Sequence, residues 1–180
     1  MAMRLNLGCG SDYRDGWLNV DSDPDVRADM HCDMVYVDLP PASVSQVVAH
    51  HSFEHVPTGL LPMWLGGIAR ACLPDATVEI WTPHYTSISA HAPFHHSRWC
   101  VQSFDALATF PSLRPFPFTV ERIELHFWKE GTRYWLSPLR LERLNANWFW
   151  NLGQCRGWQR MWERFNVFGF DEIYYRLRRV

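Results

Sequence analysis

No apolar run in this 180-residue chain approaches the roughly 18 residues that a membrane span requires. Its opening, MAMRLNLGCG, has no basic stretch leading into an apolar one. Neither a membrane span nor secretion is expected. The chain has no CxxC pair; Cys9, Cys32, Cys72, Cys100 and Cys155 are odd in number and far apart. That pattern argues against a disulfide framework or a zinc ribbon and for reduced thiols in the cytoplasm. Internal repeats, low-complexity tracts and linker-like stretches are also lacking, so the expectation is one domain over residues 1–180.

Hydrophobic residues make up 47% of the chain and charged residues 20%, which excludes a disordered composition. A domain of this size buries about 70% of its unfolded surface. Aromatics reach 15%, with 10 tryptophans, enough to build a core, a ligand pocket or a homodimer contact. The net charge of -2 hides an asymmetry. Residues 1–90 carry 4 Arg against 11 acids (net -7), and residues 91–180 carry 13 basic residues against 8 acids (net +5). The basic half suits an anionic partner or a solvated arginine face. A net-acidic chain without an appended recognition domain disfavours nucleic acid.

Short apolar runs alternate with turns and helical spacing. Strands are expected at RLNLG (4–8), WLNVD (17–21), VRADMHCD (26–33), SQVVAHHS (45–52) and ATVEIWTP (76–83), with a helix over 58–73. A short helix is expected at SFDALATF, a strand at FTVERIELHFW and a closing strand at DEIYYRLRRV. Between Pro138 and Phe165 the pattern is helical and rich in tryptophan, with Trp158, Trp162 and Phe165 on one face. The class is α/β with a largely parallel sheet and a helical insertion at about 138–165.

LNLGCG, residues 5–10, places two glycines at the end of the first strand. Ligands in such sheets bind beyond the carboxyl ends of the strands, where glycine lets backbone touch a cofactor. Asp21 and Asp33 close the second and third strands at the same edge, where carboxylates can take ribose and adenine hydrogen bonds. Alternatively, the glycines only turn the chain and the aspartates cap loops. GCGSDY lacks the third glycine of a dinucleotide fingerprint, and Asp21 follows Gly10 by only 11 residues. Nicotinamide and flavin are therefore disfavoured.

The segments LNLGCG, GWLNVD, CDM and ASVSQVVAHHSFEHVP together resemble the class I S-adenosylmethionine-dependent methyltransferases. The resemblance is to the short bacterial type, with an abbreviated first helix and an HxLEH-like segment after the fourth strand. It covers residues 5–57, and more loosely TPHY and HAPFHHSRW, the latter resembling a DPTH segment. It implies a Rossmann-like, mostly parallel seven-stranded sheet whose last strand is antiparallel. It implies S-adenosylmethionine as cofactor, with Gly8 and Gly10, and Cys9 between them, beside the methionine part. Asp21 would hold the ribose, Asp33 and the backbone of Met34 would frame the adenine, and the His50 backbone would meet the methionine amine. His51, Glu54 and His55 fall on the HxLEH segment. The chain departs from the pattern at Asn6, where an acid is common, at Ser45-Gln46 and at Ala92.

The expected chemistry is methyl transfer to a small-molecule acceptor such as a sugar or natural-product hydroxyl. An alcohol acceptor needs a base, and His51, His95 and His84 are the candidates, in that order. Each has a competing reading as a hydrogen-bonded structural imidazole. His84, His91, His95 and His96 raise a zinc hydrolase alternative through the HxxxH spacing of His91 and His95. Pro93 interrupts that spacing and no HExxH accompanies it, so no metal is expected. The tryptophan segment reads as a lid, as core or as a dimer contact, and Arg98, Arg140 and Arg143 as holders of an anionic acceptor or as solvated side chains. The alternative to an enzyme is a non-catalytic module that binds a nucleotide or S-adenosylmethionine.

Overall fold

A computed structural model describes residues 2–126, 154–165 and 170–180. Seven strands form one sheet: β1 (Met3–Leu7), β2 (Leu18–Asp21), β3 (Met30–His31), β4 (Val44–His50), β5 (Cys72–Pro83), β6 (Phe118–His126) and β7 (Glu172–Arg179). Their order across the sheet is β3-β2-β1-β4-β5-β7-β6. The five strands from β3 to β5 pair in parallel, and β7 enters antiparallel between β5 and β6. This is the mixed α/β sheet expected from the sequence, with its last strand reversed.

The centre of the sheet is buried on both faces. Leu5, Asn6 and Leu7 in succession, and Val47, Val48 and Ala49 beside them, are buried, as in sheets covered on both sides. Helix α1 (Leu61–Ala71) packs Trp64, Leu65 and Ile68 into this core. It is shorter than the expected 58–73 because Thr58–Leu60 forms a 3-10 turn. Pro62 lies in its first turn, where the missing N–H is no loss. Strand β5 begins earlier than expected, at Cys72. The Pro74-Asp75 turn survives as a bulge within it: pairing runs from Val44↔Cys72 to Gln46↔Thr77, and Asp75 has φ +63°.

The expected third strand, 26–33, is reduced to Met30–His31. Aspartate turns clip it at both ends. The Asp23 side chain accepts from Asp25 N, and Asp33 caps the 3-10 turn Met34–Tyr36. Helix α2 spans Ser103–Leu107 and α3 spans Arg156–Phe165. Residues 127–128 of the expected strand and 138–153 of the expected insertion lie outside the described residues. On α3 the fully buried residue is Gln159, and Trp158 and Trp162 form a T-shaped pair with centroids 5.6 Å apart. The Phe165 side chain lies outside the described residues. Gln159 donates to Ile123 O at 2.5 Å and Gln154 accepts from Ile123 N at 3.1 Å, so both glutamines cover the backbone of the edge strand β6. Among the described residues, no helix is long and apolar enough to cross a membrane. All five cysteines are free thiols.

Candidate active site

Between β1 and β2, where a longer helix would give its own hydrogen bonds, two buried asparagines order the loop. Asn6 Nδ2 donates to Asp12 O at 2.7 Å and to Asn19 Oδ1 at 3.0 Å. Asn19 Oδ1 also accepts from Arg14 N, and Asn19 Nδ2 donates to Arg14 O, Trp17 O and Asp29 Oδ2. This explains the departure at Asn6: the position faces two acceptors, which a carboxylate could not satisfy. Gly8 takes φ +62°, and a Cβ on it would lie 2.3 Å from Ser52 Cβ. Gly10 takes φ +48°, has open space where a Cβ would stand, and donates its N–H to Asp21 Oδ2 at 2.7 Å.

A cavity of about 540 Å³ opens beyond these strand ends. Gly8, Cys9, Gly10, Asp21, Asp33, Met34 and His50 all line it, together with Asn6, His51 and Ser52. Asp21 Oδ1 accepts from Asp23 N, and Asp33 Oδ1 from Val35 N at 2.9 Å, so both carboxylates are fixed by backbone. Trp64 Nε1 donates to Met34 O at 2.9 Å and holds that wall against α1. Burial, reinforced by Asp21, pushes the Cys9 thiol pKa up and keeps it protonated.

His51, at the end of β4, has φ +50°, a conformation uncommon outside glycine that collects at functional sites. Its Nε2 lies 2.7 Å from Glu172 Oε2 and its Nδ1 lies 3.5 Å from Glu54 Oε1. Glu172 also bonds His126 Nδ1 at 2.9 Å, and His126 Nε2 bonds Glu124 at 2.9 Å. Burial opposes charge on both Glu172 and His126, but their mutual hydrogen bonds prevail. With Glu124 as its second partner, His126 is raised to about 9. Helped by His51, Glu172 is held well below the usual carboxylate range.

A second cavity of about 480 Å³ shares His51 and His55 with the first and is also lined by Glu54, Ser87, Ile88, Ser89, His95 and Asp171. His95 is thus on a cavity wall with His51. His84 is not: it is fully buried, lines neither cavity, and bonds Thr86 Oγ1 at 2.7 Å and Glu163 Oε1 at 2.9 Å. Glu163 also accepts from Val101 N, so His84 ties the end of β5 to α3. His91 and His96 are exposed, and among the described residues neither belongs to a group of three potential metal ligands. Among the described residues, the groups of three whose ligand-type atoms all lie within 4.8 Å of one another are His50, His51 and Glu172, and Glu54, His55 and His95. Arg98 is exposed and lines neither cavity; Arg140 and Arg143 lie outside the described residues. Glu172 carried no signal in the sequence, because it reaches His51 across 121 positions.

No protein-family model matches the chain, and no curated protein sequence does. Solved structures match it in fold. An S-adenosylmethionine-dependent methyltransferase from Archaeoglobus fulgidus aligns with a TM-score of 0.64 at 16% identity, covering 99% of this chain and 86% of that one. A second, from Mesorhizobium loti, gives 0.57 at 13% identity, covering 98% and 90%. The cyclase SpnF gives 0.57 at 16% identity, covering 99% and 74%. The chain has the class I S-adenosylmethionine-dependent methyltransferase fold.

Proposed function

We propose that this chain is a cytoplasmic methyltransferase that binds S-adenosylmethionine at the ends of β1, β2 and β4. One observation carries the reading: seven residues spread from Gly8 to His50, singled out from the sequence, line a single cavity. Its volume of about 540 Å³ falls within the span of roughly 300–1,000 Å³ usual for small-molecule sites. The residues also suit the cofactor chemically. Gly10 leaves backbone exposed to it, Asp21 offers acceptors to ribose hydroxyls, and Asp33 with Met34 offers an edge for adenine. Bound S-adenosylmethionine supplies a sulfonium methyl group open to in-line displacement.

The acceptor side is the second cavity, which meets the first at His51 and His55. Its mixture of Ser87, Ser89, Asp171 and His95 with apolar Ile88 suits a small hydroxyl-bearing molecule, a sugar or a natural-product precursor. His51 is the candidate base. Glu172 holds its ring through Nε2, and Glu54 Oε1 lies 3.5 Å from its Nδ1, so two carboxylates stand ready to support the charge it gains on taking the acceptor proton.

A module that binds the cofactor without turnover is the second reading; the likeness to a cyclase shows that this fold alone does not fix a chemistry. Calorimetric titration with S-adenosylmethionine and S-adenosylhomocysteine tests the proposal. Micromolar binding of both is expected, weakened by about 1–3 kcal/mol in Asp21→Ala, the scale for hydrogen bonds to a charged group. No binding to the folded protein would end the methyltransferase reading. Binding with no turnover across a panel of hydroxylated acceptors would favour the module.

A further inference from the structure

The loop at 92–97 is fastened onto the turn that follows β4. His96 N and Ser97 N donate to Glu54 O at 2.9 and 3.3 Å, and Thr58 Oγ1 donates to His96 O at 2.8 Å. His55 Nδ1 lies 3.3 Å from Phe94 O. A carbonyl only accepts, so Nδ1 carries the proton and Nε2 presents its lone pair. The His55 and His95 rings stand at 88° to one another with centroids 4.7 Å apart. Glu54, His55 and His95 each offer one ligand-type atom, all within 4.8 Å of one another.

Two of these residues carry a polar atom that the fold leaves unexplained. Glu54 is 1% exposed, and its Oε2 has no hydrogen-bond partner. His95 Nδ1 is also buried without one. Each such atom costs about 1–3 kcal/mol unless something satisfies it. Both orphan atoms belong to residues of this one cluster, and a cation held there would satisfy them together.

We propose that Glu54, His55 and His95 hold a zinc-class divalent cation at the wall of the second cavity. Two imidazoles and one carboxylate with a fourth position open is a donor set of known zinc sites. Bonds of about 2.0–2.2 Å place tetrahedral ligands about 3.4 Å apart, so side chains whose ligand-type atoms lie within 4.8 Å of one another need close inward only slightly. The hydrogen bond from His55 to Phe94 O supplies the outer support that fixes a ligating imidazole. Sequence spacing pairs His95 with His91; folding instead brings His95 to Glu54 and His55 of the 3-10 turn after β4. The role assigned to the cation rests on the methyltransferase reading: at the open position it takes an oxygen of the acceptor and polarises it.

The test is titration of metal-free protein with Co2+, followed by displacement with Zn2+. One equivalent is expected, with the visible absorption of low-coordinate cobalt, bleached by zinc. Glu54→Gln and His95→Ala weaken binding at least about 100-fold, the upper end of losses from outer-shell changes alone. His91→Ala leaves it unchanged, and far-ultraviolet circular dichroism checks each fold. No bound equivalent in the unaltered protein, or binding that survives both Glu54→Gln and His95→Ala, overturns the site. Titrating the same metal-free sample with S-adenosylmethionine separates the two readings. Cofactor binding without cobalt binding removes the cation site alone, and cobalt binding without cofactor binding leaves it standing while the methyltransferase reading falls.

Discussion

Replacing Gly8 with alanine probes how the end of β1 meets the turn after β4. The new Cβ would stand 2.3 Å from Ser52 Cβ and 3.0 Å from Ser52 Oγ. Carbon atoms pack at about 3.5–4.0 Å, so a gap of more than about 1 Å must open. Rotation of Ser52 moves Oγ but not Cβ, and Oγ is tied to Leu7 O at 2.9 Å. Backbone has to move, at about 1–3 kcal/mol for overpacking. The φ of +62° adds about 1–2 kcal/mol for a residue with a Cβ. The sum is about 2–5 kcal/mol. Gly10→Ala shares only the backbone part, about 1–2 kcal/mol, because no atom lies within 4 Å of its Cβ position. Urea denaturation of Gly8→Ala, Gly10→Ala, Ser52→Gly and the Gly8→Ala/Ser52→Gly double variant measures both parts. Removing the Ser52 Cβ should return about 1–2 kcal/mol of the Gly8→Ala loss as a coupling energy. A Gly8→Ala variant no less stable than Gly10→Ala, or a cycle without coupling, would refute the close approach.

Other outcomes follow from the same geometry. Asn6→Asp sets a buried carboxylate against Asp12 O and Asn19 Oδ1, and should cost about 3–5 kcal/mol in thermal or urea melts at neutral pH, less in acid. The pair of His126 and Glu172 should give stability a maximum between about pH 4.5 and 6.5. His126, raised from 6.5 to about 9, contributes fully below 6.5 and loses its contribution as pH climbs through about 9. Glu172, lowered from 4.5, contributes above 4.5 and loses its contribution as pH falls below it. At 1.36 kcal/mol per decade the alkaline loss is up to about 3 kcal/mol, and His126→Gln should flatten that limb in urea melts across pH. With a turned-over acceptor in hand, His51→Gln should lower kcat by about 10²–10⁴-fold with a far smaller effect on cofactor affinity, measured by steady-state kinetics and calorimetry.

Strands β1, β2 and β5 were legible because each is an apolar run that stops at a residue with a local reason to stop: Gly8, Asp21 or Pro83; β4, expected over 45–52, ends at His50, where His51 takes φ +50°. Those stops set the strand ends, and with them the cavity. Strand β3 was over-read because apolar and polar residues alternate through 26–33 while aspartates at both ends favour turns. On α3 the local pattern points to the tryptophans, whereas the burial of Gln159 follows from the open edge of β6, a feature of pairing order and not of local pattern. His84 and His95 look alike in sequence. One is enclosed by Thr86 and Glu163, the other reaches a cavity wall, and only long-range packing separates them. The Glu172 network and the grouping of Glu54, His55 and His95 join segments that no spacing rule connects.

The central claim is that the cavity beyond β1, β2 and β4 is where S-adenosylmethionine binds. A crystal structure of the protein with S-adenosylhomocysteine tests it most directly. The prediction is ribose hydroxyls on Asp21, adenine beside Asp33 and Met34, and the amino-acid end against Gly8, Gly10 and the His50 backbone. Ligand bound elsewhere, or a cavity that stays empty at saturating ligand, would contradict it.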